Sequence, residues 1–275
     1  MLTTRLIPVL LYKSGILVRS RTFTLHQATG DPITQVERLT AWKADELIYL
    51  DISRDAVYDF RQTMNVIGPT SSSRDLFATM QNNFIDVVRE VSKICRIPLT
   101  VGGKIRTIED IRVRLEAGAD KVSINTEALR RKEFIREAAE AFGSQCIVIS
   151  IDVKFDPEKN RWAVYRDFGK VRTGLDPATW AKEAVQYGAG EILIQSIDRD
   201  GTGRGYDLDL VREVVREVSV PVIALGGVGE FEHLVEGIKR GEASAVAAAN
   251  IFHFSEQSVI NAKEYMKKKG INVRL

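Results

Sequence analysis

Cysteine is nearly absent from this chain of 275 residues: Cys95 and Cys146 are the only two, each in an apolar or strand-like setting. That excludes a disulfide framework and leaves two reduced core thiols. Histidine is almost as scarce. His26, His233 and His253 stand far apart without ligand spacing, so no metal site is expected, and no cofactor is expected either. An excess of one charge is missing too: 39 basic residues face 37 acidic ones, for a net +2. Nucleic acid and anionic membrane are therefore not indicated as partners. No apolar run approaches the roughly 18 residues of a membrane span. The start, Met1-Leu2-Thr3-Thr4-Arg5, lacks the basic-then-apolar layout of a secretory signal. These absences leave a soluble, cytoplasmic, globular protein as the expectation, and a hydrophobic fraction of 44% supplies the core.

Short β-branched runs alternate with amphipathic stretches from end to end. Eight runs read as strands, at residues 5–11, 46–52, 98–101, 121–124, 146–151, 191–196, 221–224 and 245–248. Several are apolar at nearly every position, as parallel strands buried on both faces require. Helix starts are legible between them. Thr107-Ile108-Glu109-Asp110 reads as a capping box, and Asp176-Pro177 as a capping carboxylate before a first-turn proline. Eight alternations in about 250 residues predict a single (β/α)8 TIM barrel spanning 1–275. A doubly wound sheet would want a glycine-rich turn after the first strand, and none is there. Residues 54–75, with Pro69-Thr70-Ser71-Ser72-Ser73, read as a long inserted loop after the second strand. Residues 14–31 read as a second long polar loop.

The chain also repeats itself. An offset of 124 carries Gly102-Gly103 onto Gly226-Gly227 and Ala119-Asp120-Lys121-Val122 onto Ala243-Ser244-Ala245-Val246. An offset of 145 carries Glu46-Leu47-Ile48 onto Glu191-Ile192-Leu193, and one of 141 carries Leu10-Leu11-Tyr12-Lys13 onto Ile151-Asp152-Val153-Lys154. Strands one to four thus echo strands five to eight as two half-barrels.

Barrel chemistry sits at the carboxyl ends of the strands. There the paired glycines Gly102-Gly103 and Gly226-Gly227, with Asn125-Thr126 and Asn250 after the next strands, suit two oxyanion sockets related by a pseudo-twofold, although such glycines also serve tight turns. Asp152 ends the fifth strand as a candidate general acid or base. Asp200 and Gly201 belong to the charged loop Asp198-Arg199-Asp200-Gly201-Thr202 after the sixth strand, which can approach a phosphate or do acid–base work. At the opposite ends lie Arg5, Glu46, Lys121 and Glu191, two cations and two anions that can alternate around the axis, as a plain salt-bridge cluster or as a gate.

The runs Gly118-Ala119-Asp120-Lys121-Val122-Ser123-Ile124-Asn125-Thr126, Ser196-Ile197-Asp198-Arg199-Asp200-Gly201-Thr202 and Gly143-Ser144-Gln145 resemble the cyclase (synthase) subunit of imidazole glycerol phosphate synthase. Gly188-Ala189-Gly190-Glu191-Ile192-Leu193 and the terminal Gly270-Ile271-Asn272-Val273-Arg274-Leu275 are similar as well. The resemblance implies a barrel with two phosphate sites for a bisphosphate, paired with a glutaminase subunit that delivers ammonia through the barrel. It implies Gly103, Asn125 and Thr126 around one phosphate, and Asp200, Gly201, Gly226, Gly227 and Asn250 around the other. Arg5, Glu46, Lys121 and Glu191 match the ring that gates ammonia.

Three departures stand out. The family's strand-one aspartate is Leu11 here, while its strand-five partner is kept as Asp152; a missing proton-transfer group costs about 10²- to 10⁴-fold. The lysine of the family's first loop is Arg19, a poor proton donor. The third glycine after strand three is Lys104. This combination, with Ile7-Pro8-Val9-Leu10-Leu11, resembles the branch that helps convert an acetamido sugar into an acetamidino sugar of surface polysaccharide. That branch implies ammonia conveyed from a glutaminase to a separate amidotransferase acting on a nucleotide-linked sugar. The other readings are a histidine-pathway cyclase–lyase with a relocated acid, at Asp51 or Asp200, and a non-catalytic scaffold that activates the glutaminase.

Overall fold

The computed structural model describes residues 3–54, 83–253 and 258–275. Eight parallel strands close on themselves in the order β1 (Arg5–Lys13), β4 (Leu47–Asp51), β5 (Leu99–Gly102), β6 (Lys121–Ile124), β7 (Ile147–Asp156), β10 (Glu191–Ser196), β11 (Val222–Leu225) and β12 (Ala245–Ala248). Pairing of β12 with β1 and of β7 with β10 completes the ring. The single (β/α)8 barrel expected from the alternation is the fold. Most of the inserted stretch at 54–75 lies outside the described residues.

Strand alternation sorts the side chains into two cores. On β7, Ile147, Ile149, Ile151 and Val153 face the helices, while Val148, Ser150 and Asp152 face the axis. On β1, Ile7, Val9 and Leu11 fill the interior with Ile48, Leu193, Ile223 and Ala247 from neighbouring strands. Helices pack outside. Among them, α1 (Pro32–Ala41) starts at Asp31, whose carboxylate accepts from the Ile33 and Thr34 amides. The helix Ile108–Glu116, α2, has the capping box read from the sequence, with Thr107 and Asp110 bonded both ways. Pro177–Gln186, α3, starts at Asp176, which accepts from the Thr179 amide. Both cysteines are free and half-buried.

The predicted polar loop at 14–31 is instead a β-hairpin. β2 (Ile16–Arg21) runs back along β1, and β3 (Leu25–Gly30) pairs with β2. β7 carries a counterpart: it overruns its predicted end to Asp156, and β8 (Arg161–Arg166) and β9 (Val171–Arg172) fold back on it. The half-barrel repeat thus extends to two hairpins arching over the mouth from the first and fifth barrel strands. Their tips meet, since a Cβ on Gly169 would lie 3.1 Å from the Phe23 ring.

Candidate functional site

The amino ends of the strands carry a closed ring of charge. Arg5 Nη1 lies 2.8 Å from Glu46 Oε1, and its Nη2 bonds Glu191. Lys121 Nζ spans the same two carboxylates, 3.3 Å from Glu46 and 3.0 Å from Glu191. Each cation touches both anions, so the cycle alternates around the axis. Both glutamates are more than nine-tenths buried. A buried carboxylate is tolerable only when paired, and here each has two partners. The Arg5 guanidinium is held above its ordinary pKa: burial opposes its charge, and the bonds to Glu191 and Glu46 outweigh that.

From the ring toward the mouth, β5, β6 and β7 turn hydroxyls to the axis. Thr100 and Ser123 alternate with the helix-facing Leu99, Val101 and Val122 and are buried; Ser150 stands above Val148. β1, β4, β11 and β12 turn aliphatic side chains to the bore, and β10 adds Leu193 and then Gln195 near the mouth.

At the mouth a cavity of about 830 Å³ opens, lined by seven lysine and arginine side chains against four carboxylates. Asp152 lines it, facing the axis where Leu11 lines it from β1. Loss of water, and next the charge of Asp200, push the Asp152 carboxyl up to about 7, with a hydrogen bond from Ser150 working the other way. It is therefore poised to give or take a proton near neutral pH. Leu11 can do neither.

Sequence reasoning missed Lys13, His26 and Lys154, which also line this cavity. Lys13 and Lys154 are twins at the 141 offset, so the repeat contained the signal. Lys13 Nζ lies 3.2 Å from His26 Nδ1. Burial, then Lys13, then Arg54 hold His26 below its usual pKa, leaving a neutral ring whose Nδ1 accepts from the ammonium. Nothing in the spacing of the three histidines pointed to it.

The two predicted sockets are not alike. Gly103, Asn125 and Thr126 all line the open cavity. Gly103 has φ +100°, and a Cβ there would come 2.2 Å from the Asp51 carbonyl oxygen. Its own carbonyl accepts from Arg114 at 2.7 Å. Lys104 follows at φ +57°, with Nζ 3.3 Å from Asp51 Oδ2. Both polar atoms of the Asn125 amide are buried without a partner among the described residues. The Thr126 hydroxyl accepts from the Asp167 amide of the β8–β9 turn at 3.1 Å, keeping its own proton to donate.

Gly201, Gly226, Gly227, Asp200 and Asn250 surround only about 20 Å³, room for a single water. The β2–β3 hairpin fills the place. Asn250 Nδ2 donates to the Ser20 carbonyl at 2.8 Å, and the Ser20 hydroxyl donates to Asp200 Oδ2 at 2.7 Å. The Phe23 amide reaches the same carboxylate at 3.3 Å, and the Thr22 amide bonds the Asp200 carbonyl at 3.0 Å. Burial raises the Asp200 pKa, opposed by those bonds to its carboxylate. Asp200 thus sits beneath the hairpin and outside the open cavity.

Fold and mouth together define a (β/α)8 barrel whose cationic cavity lies at the carboxyl ends of its strands, the catalytic face of such barrels. Residues 74–258 match the family model described as histidine biosynthesis protein. The chain belongs to that family. No helix among the described residues is long and apolar enough to cross a membrane.

Proposed function

We propose that this barrel conveys ammonia from a glutaminase subunit docked beneath the charged ring to its mouth, in service of amidination of a nucleotide-linked acetamido sugar for surface polysaccharide. The observation that carries the reading is an asymmetry along one axis. The ring of Arg5, Glu46, Lys121 and Glu191 is complete at the inlet end, whereas the proton-transfer pair at the mouth has only Asp152, opposite Leu11. The hydroxyls of Thr100, Ser123 and Ser150 offer a small polar molecule hydrogen bonds on its way. At the mouth, Gly103, Asn125 and Thr126 hold a phosphorylated ligand, and a separate amidotransferase completes the chemistry.

In this reading Arg5, Glu46, Lys121 and Glu191 act as a gate, because the closed cycle of ion pairs must part before anything passes along the axis. Lys121→Ala leaves two carboxylates facing one arginine and loosens that cycle. Expected is a glutamine-dependent product yield at least tenfold lower with glutaminase association retained, and rescue by ammonium supplied from solution. Equal loss with glutamine and with ammonium removes the gate from the account.

One observation favours the histidine-pathway cyclase instead. The Asp152 carboxyl at about 7 is tuned for proton transfer, which a passive conduit does not need. Turnover of the histidine precursor with ammonium, within about tenfold of ordinary cyclase rates (roughly 1–10³ s⁻¹ for enzymes at large), decides for it. A non-catalytic scaffold predicts that Asp152→Asn is silent with either nitrogen source.

A further inference from the structure

We infer that the mouth takes its ligand by a single phosphate, held at Gly103, Lys104 and Asn125, and that the β2–β3 hairpin stands where a second phosphate would bind. This rests on the phosphate reading of the first socket and is independent of the ammonia route.

Three features shut the second socket. Its remaining space holds one water. The donor an oxyanion would use there, Asn250 Nδ2, already serves the Ser20 carbonyl, and Gly201 packs so closely on that carbonyl that a Cβ would lie 2.1 Å from it. The carboxylate of Asp200 is buried against the same hairpin, so an anion entering the socket would meet like charge in a dry place. Lifting the hairpin requires breaking the bonds of Ser20, Thr22 and Phe23 to Asp200 as well as the one from Asn250.

The first socket has gained what the second has lost. Lys104 occupies a left-handed backbone position, φ +57°, that a glycine would take without strain. A side chain kept in that region at a ligand site is strain held in place by its surroundings, and its use is read from where the side chain goes. Here it leads an ammonium to the cavity, where it pairs with the buried Asp51. Asn125 lines the same space, with its amide buried just behind the wall and unpartnered among the described residues. A phosphate monoester dianion that enters shares the ammonium of Lys104 with Asp51, and a rotation of the Asn125 side chain brings it a bond from that amide.

The test is calorimetric titration of the full chain with glycerol 3-phosphate and with fructose 1,6-bisphosphate, beside urea unfolding. Expected is one ligand per chain in each titration, with the bisphosphate bound within about threefold of the monophosphate. Lys104→Gly weakens both about tenfold while the chain still unfolds cooperatively in urea, since relief of the left-handed strain offsets the loss of the cation beside Asp51. Lys104→Asn, which tolerates the left-handed backbone but has no charge, weakens binding equally. Two glycerol 3-phosphate sites per chain, or a bisphosphate bound tenfold tighter, overturns the single-phosphate inference while sparing the first socket. Unchanged affinity in both Lys104 variants overturns the role of Lys104. No binding of either ligand at millimolar concentration overturns the inference and the phosphate reading together.

Discussion

The two glycine pairs at the barrel mouth correspond under the 124-residue offset and stand in different surroundings. Gly102-Gly103 borders an open, cationic cavity; Gly226-Gly227 borders a space the size of one water. Gly103 and Gly227 make the same tight turn that positive φ allows, against the Asp51 and Gly205 carbonyls, each leaving no room for a Cβ. The backbone turn is thus common to both halves while the surroundings differ. What separates the sockets is the hairpin on β1, which crosses to the loop after β10 and is bonded there. The hairpin on β7 stops at Thr126 and leaves its socket open.

Substitution at the turn itself should have the largest effect. Gly103→Ala forces a Cβ to within 2.2 Å of a backbone oxygen at φ +100°. Expected is a loss of about 3 kcal/mol in urea unfolding, together with loss of phosphate binding, because the two demands fall on the same atoms. Retained binding at full stability would show that the open side is no tighter a turn than an ordinary loop.

Next in size is Asp152, where the halves differ in chemistry. Its folded pKa of about 7 lies above the 3.8 of an unperturbed aspartate, so between those values the folded chain binds the extra proton. Stability from this group is full below pH 4 and is lost as pH rises through 7. Asp152→Asn removes the penalty. The full shift corresponds to about 4 kcal/mol, and water reaching the half-buried carboxyl reduces it to roughly 2. Unfolding midpoints should therefore favour the variant at pH 8 and coincide at pH 4. A gain of equal size at both pH values would mean that packing, and not charge, distinguishes Asp152 from Leu11.

The smallest effect sharpens the comparison most. Ser20→Ala deletes one hydrogen bond to Asp200, at a cost of about 1–2 kcal/mol. With the hairpin loosened, hydrogen exchange at Thr22 and Phe23 should speed up while exchange at Asp167 does not change. Equal acceleration at both hairpins would mean that they open as one lid.

The barrel strands and the charged ring were legible because they rest on local pattern. Apolar runs, capping residues and the charges Arg5, Glu46, Lys121 and Glu191 at strand starts stand in the sequence as they stand in the structure. The hairpins were not. Consecutive positive-φ positions in a hairpin turn are usually signalled by Asn-Gly or Asp-Gly, and the loops here have three residues (22–24) and four (167–170). Here the positions are Thr22-Phe23, at φ +51° and +60°, and Asp167-Phe168, at +52° and +59°. Threonine and phenylalanine resist this conformation, so propensity argued for loop. Closure of the second socket was illegible for another reason: it depends on Ser20 meeting Asp200 and Asn250, contacts about 180 and 230 residues apart in sequence that no local pattern encodes.

The charged ring also departs from the half-barrel repeat. Glu46 and Glu191 are copies of one another under the 145-residue offset, and they stand on either side of the axis. Their cations are not copies: the offsets of 141 and 124 place Cys146 opposite Arg5 and Ala245 opposite Lys121. Two identical halves would each supply one cation and one carboxylate; here both cations come from the first half, on β1 and β6, and the second half supplies the Glu191 carboxylate alone. The acidic pair thus follows the half-barrel repeat and the two cations do not, so the inlet is built as three charged strands of one half closing on one strand of the other.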